Sequence, residues 1–564
     1  MFDHSKYKPF PAIQLQTRKW PQNQITQAPL WCAVDLRDGN QALVEPMNVS
    51  EKQKIWQLLV DMGFKHIEVG FPSASQPDFD FVRWLIEENQ IPDDVTIQVL
   101  VQARDELIER TYEALAGVKQ AIVHVYNSTS PTQREKVFKL NKQGIIDIAI
   151  KGAKKVQVEA QKHPETQWTF QYSPESFSST EVEFAVEVSN AVMDVWQPTA
   201  HNKAIINLPA TVECAGPNVF ADQVEYFCTH INQRENIIIS IHTHNDRGCA
   251  VAAAEMAILA GADRIEGTLM GNGERTGNMD IVTMAMNLYS QGIDPKLDLS
   301  DASRITSTVE ACTKISTHPR HPWMGELVYT AFSGSHQDAI KKCLAIQEDG
   351  SNWDVAYLPI DPKDIGRDYQ SVIRINSQSG KGGVAYILEE QFGISLPRWM
   401  QIELSVAVQA HSEKMQSEVN AQDIYNIFQA QFMQTSKDNC IGDYSLGDYQ
   451  LRRHHESEGS NKEHIQINLN SEGNPLELSG HGDGPLQAFC DALAKHFNLE
   501  IDIVQYGQLS QGKHSDAQAM AFVQLKVNGQ KHTCAAMNQD SLGASLMAIL
   551  NATNQYLIQQ KKAA

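Results

Sequence analysis

From residue 30 onward the chain alternates between short apolar runs and stretches with helical periodicity. The runs are residues 30–38 (LWCAVDLRD), 66–71 (HIEVGF), 96–101 (TIQVLV), 120–126 (QAIVHVY), 168–172 (WTFQY), 204–209 (AIINLP), 237–242 (IIISIH) and 264–268 (RIEGT). Each is short and largely apolar, as expected of strands buried on both faces of a parallel sheet. Between them, Ser50 to Gln53 read as a capping box ahead of Ile55, Leu58, Leu59 and Met62 at helical spacing, with Gly63 as the stop. Residues 250–260 (AVAAAEMAILA) form a second clear helix, closed by Gly261. Eight β/α units within about 290 residues predict a (β/α)8 TIM barrel. An open doubly wound sheet is the rival, but no turn carries its GxGxxG phosphate loop. The barrel predicts that polar chemistry collects at strand C-termini, and Asp38, Glu175, Thr211, Glu213, His242 and His244 fall there.

The pattern changes near residue 320, at the proline-punctuated segment from His318 to Pro322. We therefore divide the chain into a barrel with its N-terminal extension (1–320), α and α+β linker subdomains (321–436) and a third region (437–564). The linker holds short helices and a glycine-rich turn from Ser379 to Gly383, and a polar stretch at 451–463 (LRRHHESEGSNKE) precedes the last segments. These read as two similar halves. Strand-like 464–470 and 474–480 precede helical 485–497, and strand-like 499–508, 519–529 and 531–538 precede helical 541–560. Such repetition predicts a pseudo-symmetric α+β module.

The 564 residues carry a formal charge of −21, from 68 acidic and 47 basic side chains. That balance excludes general nucleic-acid binding and electrostatic docking on an anionic membrane. No apolar run approaches the roughly 18 residues of a transmembrane helix, and the N-terminal residues lack the apolar core of a secretory signal. The nine cysteines form no CxxC pair, which fits reduced thiols in a cytoplasmic protein. Anionic substrates would need local positive features in so acidic a chain: an arginine, a helix N-terminus or a metal.

His242 and His244 are two apart on a strand, so both imidazoles reach one point. Two histidines hydrogen-bonded in a polar loop are the plain alternative. Asp38, at the end of the first strand and beside the seventh and eighth once a barrel closes, completes three donors with open positions left for substrate. Asn278 could supply an amide oxygen. These donors suit Zn2+, Mn2+ or Mg2+. Arg37 is either a rim arginine paired with a carboxylate or a fixed electrophile, with Gln41 a weaker candidate on the same loop. Glu175, Thr211 and Glu213 could equally be solvated or capping groups, and His124, sharing a face with Tyr126, reads by position as a core histidine. The loop from Gly271 to Gly277 is glycine-rich but has neither Rossmann nor P-loop spacing.

LRDGNQ, SPE, TVE, HTHNDRG and GNGERTGN, each after its strand, resemble the DRE-TIM metallolyase superfamily. FSGSHQDAI, YLPIDPKDIGR and NSQSGKGGVAYIL resemble the long form of the 2-isopropylmalate synthase family, so the resemblance covers essentially the whole chain. It implies a divalent metal (Mg2+, Mn2+ or Zn2+) on Asp38, His242 and His244 with Asn278 near or in the sphere. It implies Arg37 at the keto-acid oxygen or the enolate, Thr211 on the keto-acid carboxylate, and His124, Ser173 and Glu175 lining the pocket. His336 and Tyr357 would come from the post-barrel subdomain to the partner subunit's site. The implied reaction joins acetyl-CoA, as co-substrate, to 2-oxoisovalerate and hydrolyses the thioester, the first committed step of leucine synthesis. The base is either Glu175 or the His336–Tyr357 pair, with His336 preferred because imidazole titrates near neutral pH. The C-terminal module resembles the family's leucine-sensing regulatory domain, with Gly480, Gly482 and Gly484 in its glycine-rich turn and Asp483 where Asn is common. A homodimer, feedback inhibition by L-leucine and a K+ activator complete what the resemblance suggests. The alternatives are a homocitrate or citramalate synthase, or a non-catalytic amino-acid sensor. The intact Arg37, Asp38, His242 and His244 argue against the sensor.

Overall fold

The structure is a computed structural model describing residues 3–367, 381–415, 419–433, 443–455, 461–471, 474–511 and 518–563. The chain divides into two compact units, one of residues 1–328 with 364–367 and one of 329–363 with 368–564.

In the first unit, strands β1 (Leu30–Ala33), β2 (His66–Gly70), β3 (Thr96–Gln102), β4 (Gln120–Ser128), β5 (Gln167–Glu175), β6 (Ala204–Ala210), β7 (Ile237–Thr243) and β8 (Arg264–Gly267) close in sequence order into a parallel barrel, β1 pairing with β8. Helices α1 (Val49–Met62), α2 (Gln76–Glu87), α3 (Asp105–Leu115), α4 (Lys142–Gln161), α5 (Val182–Trp196), α6 (Pro217–His230), α7 (Ala250–Leu259) and α8 (Ile281–Tyr289) alternate with them, and α9 (Ala302–Thr313) follows. This is the predicted TIM barrel. The strands nevertheless carry a finer pattern than their apolar runs suggest. Ile67, Val69, Ile97, Val99, Val101, Ile239, Ile241 and Ile265 are buried apolar residues, while Glu68, Gln98, His124, Gln171, Ser240, His242, Arg264 and Glu266 bond to one another inside the barrel. The period of two survives, with polar groups on the inner face.

Three local expectations are corrected. The first strand stops at Ala33, because residues Asp35–Gly39 coil into one wide helical turn in which the Asp38 and Gly39 amides both donate to the Val34 carbonyl, at 2.9 and 3.1 Å. Strand β5 runs on to Glu175, so Ser173 and Glu175 lie on it rather than beyond it. Helix α1 is capped by Asn48, not Ser50. Asn48 Oδ1 accepts from the Glu51 amide at 3.0 Å and the Glu51 carboxylate accepts from the Asn48 amide at 2.8 Å, which also puts a negative charge in the first turn. Gly63 ends the helix as expected, with φ 98°.

The second unit holds α10 (Gly334–Ile346), α11 (Lys381–Phe392), α12 (Arg398–Met415) and α13 (Ala421–Phe428), then two three-stranded antiparallel meanders. The first is β9 (Tyr444–His455), β10 (Asn461–Ser471) and β11 (Asn474–Gly482), followed by α14 (Pro485–Phe497). The second is β12 (Ile501–Gln511), β13 (Gln518–Val527) and β14 (Gln530–Asn538), followed by α15 (Ser541–Ala563). One core joins them, with Ile465, Ile467, Phe489, Leu493, Val523, Leu525 and Ile549 at its centre. The pseudo-symmetry is closer than the sequence suggested, since β9 supplies the first half with a third strand. Its residues 451–455 fall within the polar stretch 451–463, of which 456–460 lie outside the described residues. Ser379 and Gly380 of the glycine-rich turn also lie outside them, and Lys381 opens α11.

Candidate active site and metal centre

The C-terminal ends of the barrel strands surround a cavity of about 670 Å3. Arg37, Asp38, His124, Ser173, Glu175, Thr211, His242 and His244 all line it, so the barrel's sequence candidates converge on one space, with Asn278 beside them through a backbone bridge to His244.

Asp38 comes from the wide turn after β1, His242 from the end of β7 and His244 from one residue past it. His242 Nε2 stands 3.3 Å from Asp38 Oδ2 and 3.2 Å from His244 Nε2, and His244 Nε2 stands 3.6 Å from Asp38 Oδ2. Donors at about 2.1 Å from a common cation, in tetrahedral or octahedral arrangement, lie roughly 3.0–3.5 Å apart. The three atoms therefore fit one divalent ion, and among the described residues they are the cluster of this kind. Asn278 Nδ2 donates to the Asn272 carbonyl at 3.0 Å, whereas its Oδ1 is buried without a hydrogen-bond partner, as a fourth oxygen donor would be. His242 Nδ1 meets Glu266 Oε2 at 3.0 Å, which places its proton on Nδ1 and frees Nε2 for a ligand bond.

Burial opposes the charge of Asp38, yet Arg37 and then His242 and His244 outweigh it and hold the carboxyl well below its ordinary value. Burial likewise opposes the His242 cation, but the hydrogen bonds to Asp38 and Glu266 prevail and raise it to about 9. His244 is pushed down to about 4, by burial and then by the charge on His242.

Arg37 donates to Asp38 Oδ1 at 2.6 Å and through Nε to Glu68. Arg37 is thus paired with two carboxylates and also lines the cavity. His124 is a buried histidine bonded at both ring nitrogens, and it also lines the cavity. Its Nε2 stands 2.7 Å from Ser173 Oγ, which also receives Asn207 Nδ2 at 3.1 Å. Thr211 Oγ1 accepts from the Ser176 amide at 3.0 Å, so its own O–H is free to donate into the cavity. Glu175 accepts from Ser128 Oγ on the neighbouring strand.

The loops above these side chains are tied together. Arg275, at φ 57°, donates to Asp246 at 2.8 Å and to the Thr211 carbonyl, and Asp246 accepts from the Glu213 amide at 3.2 Å. Glu213 in turn accepts from the Arg247 amide, and Gln41 reaches Glu274 at 3.2 Å. Glu213 thus ties loops together outside the cavity lining, whereas Gln41 both reaches Glu274 and lines the cavity.

His336 and Tyr357 belong to the second unit, where their rings stack at 4.0 Å. Tyr357 is mostly exposed and has a left-handed φ of 66°. In the glycine-rich turn, a Cβ on Gly480 would lie 2.2 Å from the Ala488 carbonyl oxygen and one on Gly482 2.5 Å from the Ala488 nitrogen. Both glycines let α14 press onto β11, a packing role the sequence did not indicate, whereas Gly484 is the open N-cap of α14. Sequence reasoning also missed Glu68, Gln98, Asn207 and Glu266. The available signal was a polar residue set between apolar ones within a run, as Glu68 in HIEVGF, Gln98 in TIQVLV and Asn207 in AIINLP.

A closed parallel barrel with these donors at its C-terminal mouth defines a metal-dependent barrel enzyme, and the family model described as HMGL-like matches residues 28–309. The alpha-isopropylmalate synthase post-catalytic domain-like model matches residues 326–389, and the LeuA allosteric (dimerisation) domain model matches 418–557. The chain is 53% identical over 555 residues to a 2-isopropylmalate synthase of Alcanivorax borkumensis, covering 98% of each chain. It is 51% identical to those of Pseudomonas entomophila and of Pseudomonas fluorescens SBW25, in both cases covering 99% of this chain and 98% of the relative. The chain belongs to the 2-isopropylmalate synthase family.

Proposed function

We propose that the protein condenses acetyl-CoA with 2-oxoisovalerate and hydrolyses the resulting thioester, releasing 2-isopropylmalate and CoA. The observation that carries this reading is the convergence of Arg37 and three metal donors on one cavity in a chain of this family. Asp38, His242, His244 and Asn278 hold the divalent cation, Mg2+, Mn2+ or Zn2+, which when bound supplies Lewis-acid polarisation of the keto acid. Thr211 donates its free hydroxyl proton to the keto-acid carboxylate. Arg37, permanently charged and gripped by Asp38 and Glu68, stabilises the oxygen on which charge develops when the acetyl methyl is deprotonated. His124 and Ser173 form the wall against which the keto acid lies. The base is His336, steadied by the stacked Tyr357 and supplied across a homodimer, with Glu175 the rival because it lines the cavity itself. His336→Ala then lowers kcat far more than it raises KM for the keto acid, and an unchanged kcat passes the role to Glu175.

The C-terminal module, which matches the allosteric domain model, binds L-leucine and transmits feedback inhibition. Gly484, with the free amides it leaves at the start of α14, is the favoured carboxylate contact of the three glycines. We place the protein in the cytoplasm; no helix among the described residues is long and apolar enough to cross a membrane. Thiol release from acetyl-CoA with a panel of 2-oxo acids tests the whole reading. Release with 2-oxoisovalerate, suppressed by leucine, supports it. Preference for 2-oxoglutarate or pyruvate moves the assignment to a homocitrate or citramalate synthase. No release with any keto acid favours a sensor.

A further inference from the structure

Beneath the cavity the barrel interior is charged. Glu68, Gln98, Gln171, Ser240, Arg264 and Glu266 are all buried to within 1%. Barrel interiors are ordinarily filled by branched apolar side chains. A buried ion pair is on balance no more stabilising than apolar groups of the same volume, so stability alone gives no reason for this cluster.

Its bonds run to Arg264. Every nitrogen of that guanidinium is engaged: Nε to His66 Nδ1 at 3.0 Å, Nη2 to Gln98 Oε1 at 2.7 Å, and Nη1 to Ser240 Oγ at 2.9 Å and Glu266 Oε1 at 2.7 Å. Gln171 Nε2 donates to the same Glu266 oxygen at 2.8 Å. The other oxygen, Oε2, faces His242 Nδ1 at 3.0 Å. The Glu266 carboxylate is thus pinned from below on one oxygen and presents the other to one imidazole. A carboxylate held at both ends fixes the plane of that imidazole and the nitrogen that carries its proton.

We infer that Arg264 is a positioning residue of the metal centre, acting through Glu266 to orient His242. The inference rests on the reading of Asp38, His242 and His244 as metal ligands, and it adds a residue from the far end of β8 that touches neither metal nor substrate. A lysine at 264 would keep the charge but lose the fork that engages Gln98 and Glu266 together.

The test uses the full-length protein, stripped with a chelator and titrated calorimetrically with Mn2+, with circular dichroism and thermal unfolding recorded alongside. For Arg264→Gln we expect Mn2+ affinity to fall by about 10–100-fold in a folded barrel, with Arg264→Lys recovering only part of the loss. Glu266→Gln should weaken Mn2+ comparably, and adding Arg264→Gln to it should cost little more, because both act along one path. Arg264→Gln within about twofold of wild type, or fully additive losses in the double variant, overturns the inference. Should Arg264→Gln fail to fold, Arg264→Lys and Glu266→Gln decide alone, and unchanged affinity in both overturns it. A wild-type protein that binds none of Mn2+, Mg2+ and Zn2+ sinks the metal reading itself, a result distinct from binding that ignores residue 264.

Discussion

Glu68 and His124 are joined inside the barrel, Oε2 to Nδ1 at 3.0 Å, while the other Glu68 oxygen takes Arg37 Nε. One carboxylate thereby aims two cavity-lining cations or donors that are far apart in sequence. Burial opposes its charge, and Arg37 first among the neighbours restores it, leaving the Glu68 carboxyl below its ordinary value. Glu68→Gln keeps the volume but removes the charge that holds Arg37. We expect kcat to fall by about 10–100-fold while bound metal stays stoichiometric. A kcat within threefold of wild type would show that Arg37 needs no such anchor.

Dialysis against a chelator should abolish thiol release, and adding back Mn2+, Mg2+ or Zn2+ should restore it. Asp38→Asn should not respond to added metal at concentrations that saturate wild type, since an amide oxygen replaces the anionic donor. Full turnover by protein from which elemental analysis detects no metal is the outcome that sinks the Lewis-acid assignment.

Thr211 is the group whose effect should appear in KM. Its oxygen accepts from the Ser176 amide, which leaves its O–H free to donate into the cavity. Thr211→Val removes that donor and leaves the Ser176 amide unpaired. A loss of about 1–2 kcal/mol raises KM for the keto acid roughly 5–30-fold, with KM for acetyl-CoA little changed. Equal rises for both substrates would point to a distorted loop instead.

Gly480→Ala tests the packing of α14 on β11. The added methyl would sit 2.2 Å from the Ala488 carbonyl oxygen, which backbone alone can relieve. Overpacking of this kind costs about 1–3 kcal/mol. We expect a lower unfolding temperature and a weakened leucine response with kcat preserved below the transition. An unaltered transition would show that the helix shifts freely.

Stability should fall as pH rises through the acidic range on account of Asp35. Burial lifts its carboxyl from the ordinary 3.8 to about 7, against the opposing hydrogen bond from the Leu269 amide. The folded state therefore holds a proton that the unfolded state releases between about pH 4 and pH 7. The contribution is intact below that window and lost above it, with a ceiling of about 4 kcal/mol. Asp35→Asn should flatten the profile, so that its unfolding temperature gains on wild type from pH 5 to pH 8. Parallel profiles would contradict the assignment.

The barrel was legible because each strand presents buried apolar groups to its helices, and every one of the eight runs contains a strand. The donors were legible because two histidines two apart on a strand share a face. What the sequence concealed depends on contacts between distant segments. The end of β1 is set by amides converging on the Val34 carbonyl, and nothing in LWCAVDLRD distinguishes a strand from a wide turn there. Asn48 and Ser50 are both competent caps, and the carboxylate of Glu51 decides for Asn48. Nothing local marks Glu68, Gln98, Arg264 and Glu266 as one bonded cluster, because each has partners on other strands. Strand β9 was masked by its half-exposed, polar sequence.

The ties around the cavity mouth form an incomplete ring. They run from the loop after β4 through those after β5, β6, β7 and β8 to the turn after β1, by Thr129 to Glu175, Ser176 to Thr211, Glu213 to Asp246, Arg275 to Asp246, and Asn272 to Gly39. Residues 71–75 after β2, three of which line the cavity, are tied within their own loop and to the start of α2, where the Phe71 amide meets Asp78, Ser75 caps the helix and Asp78 meets Lys52. These ties join the ends of β4, β5, β6, β7, β8 and β1 into one cross-linked stretch of the rim. Substitutions at Phe71, Ala74 or Ser75 would therefore alter the cavity wall without breaking any of these cross-loop ties.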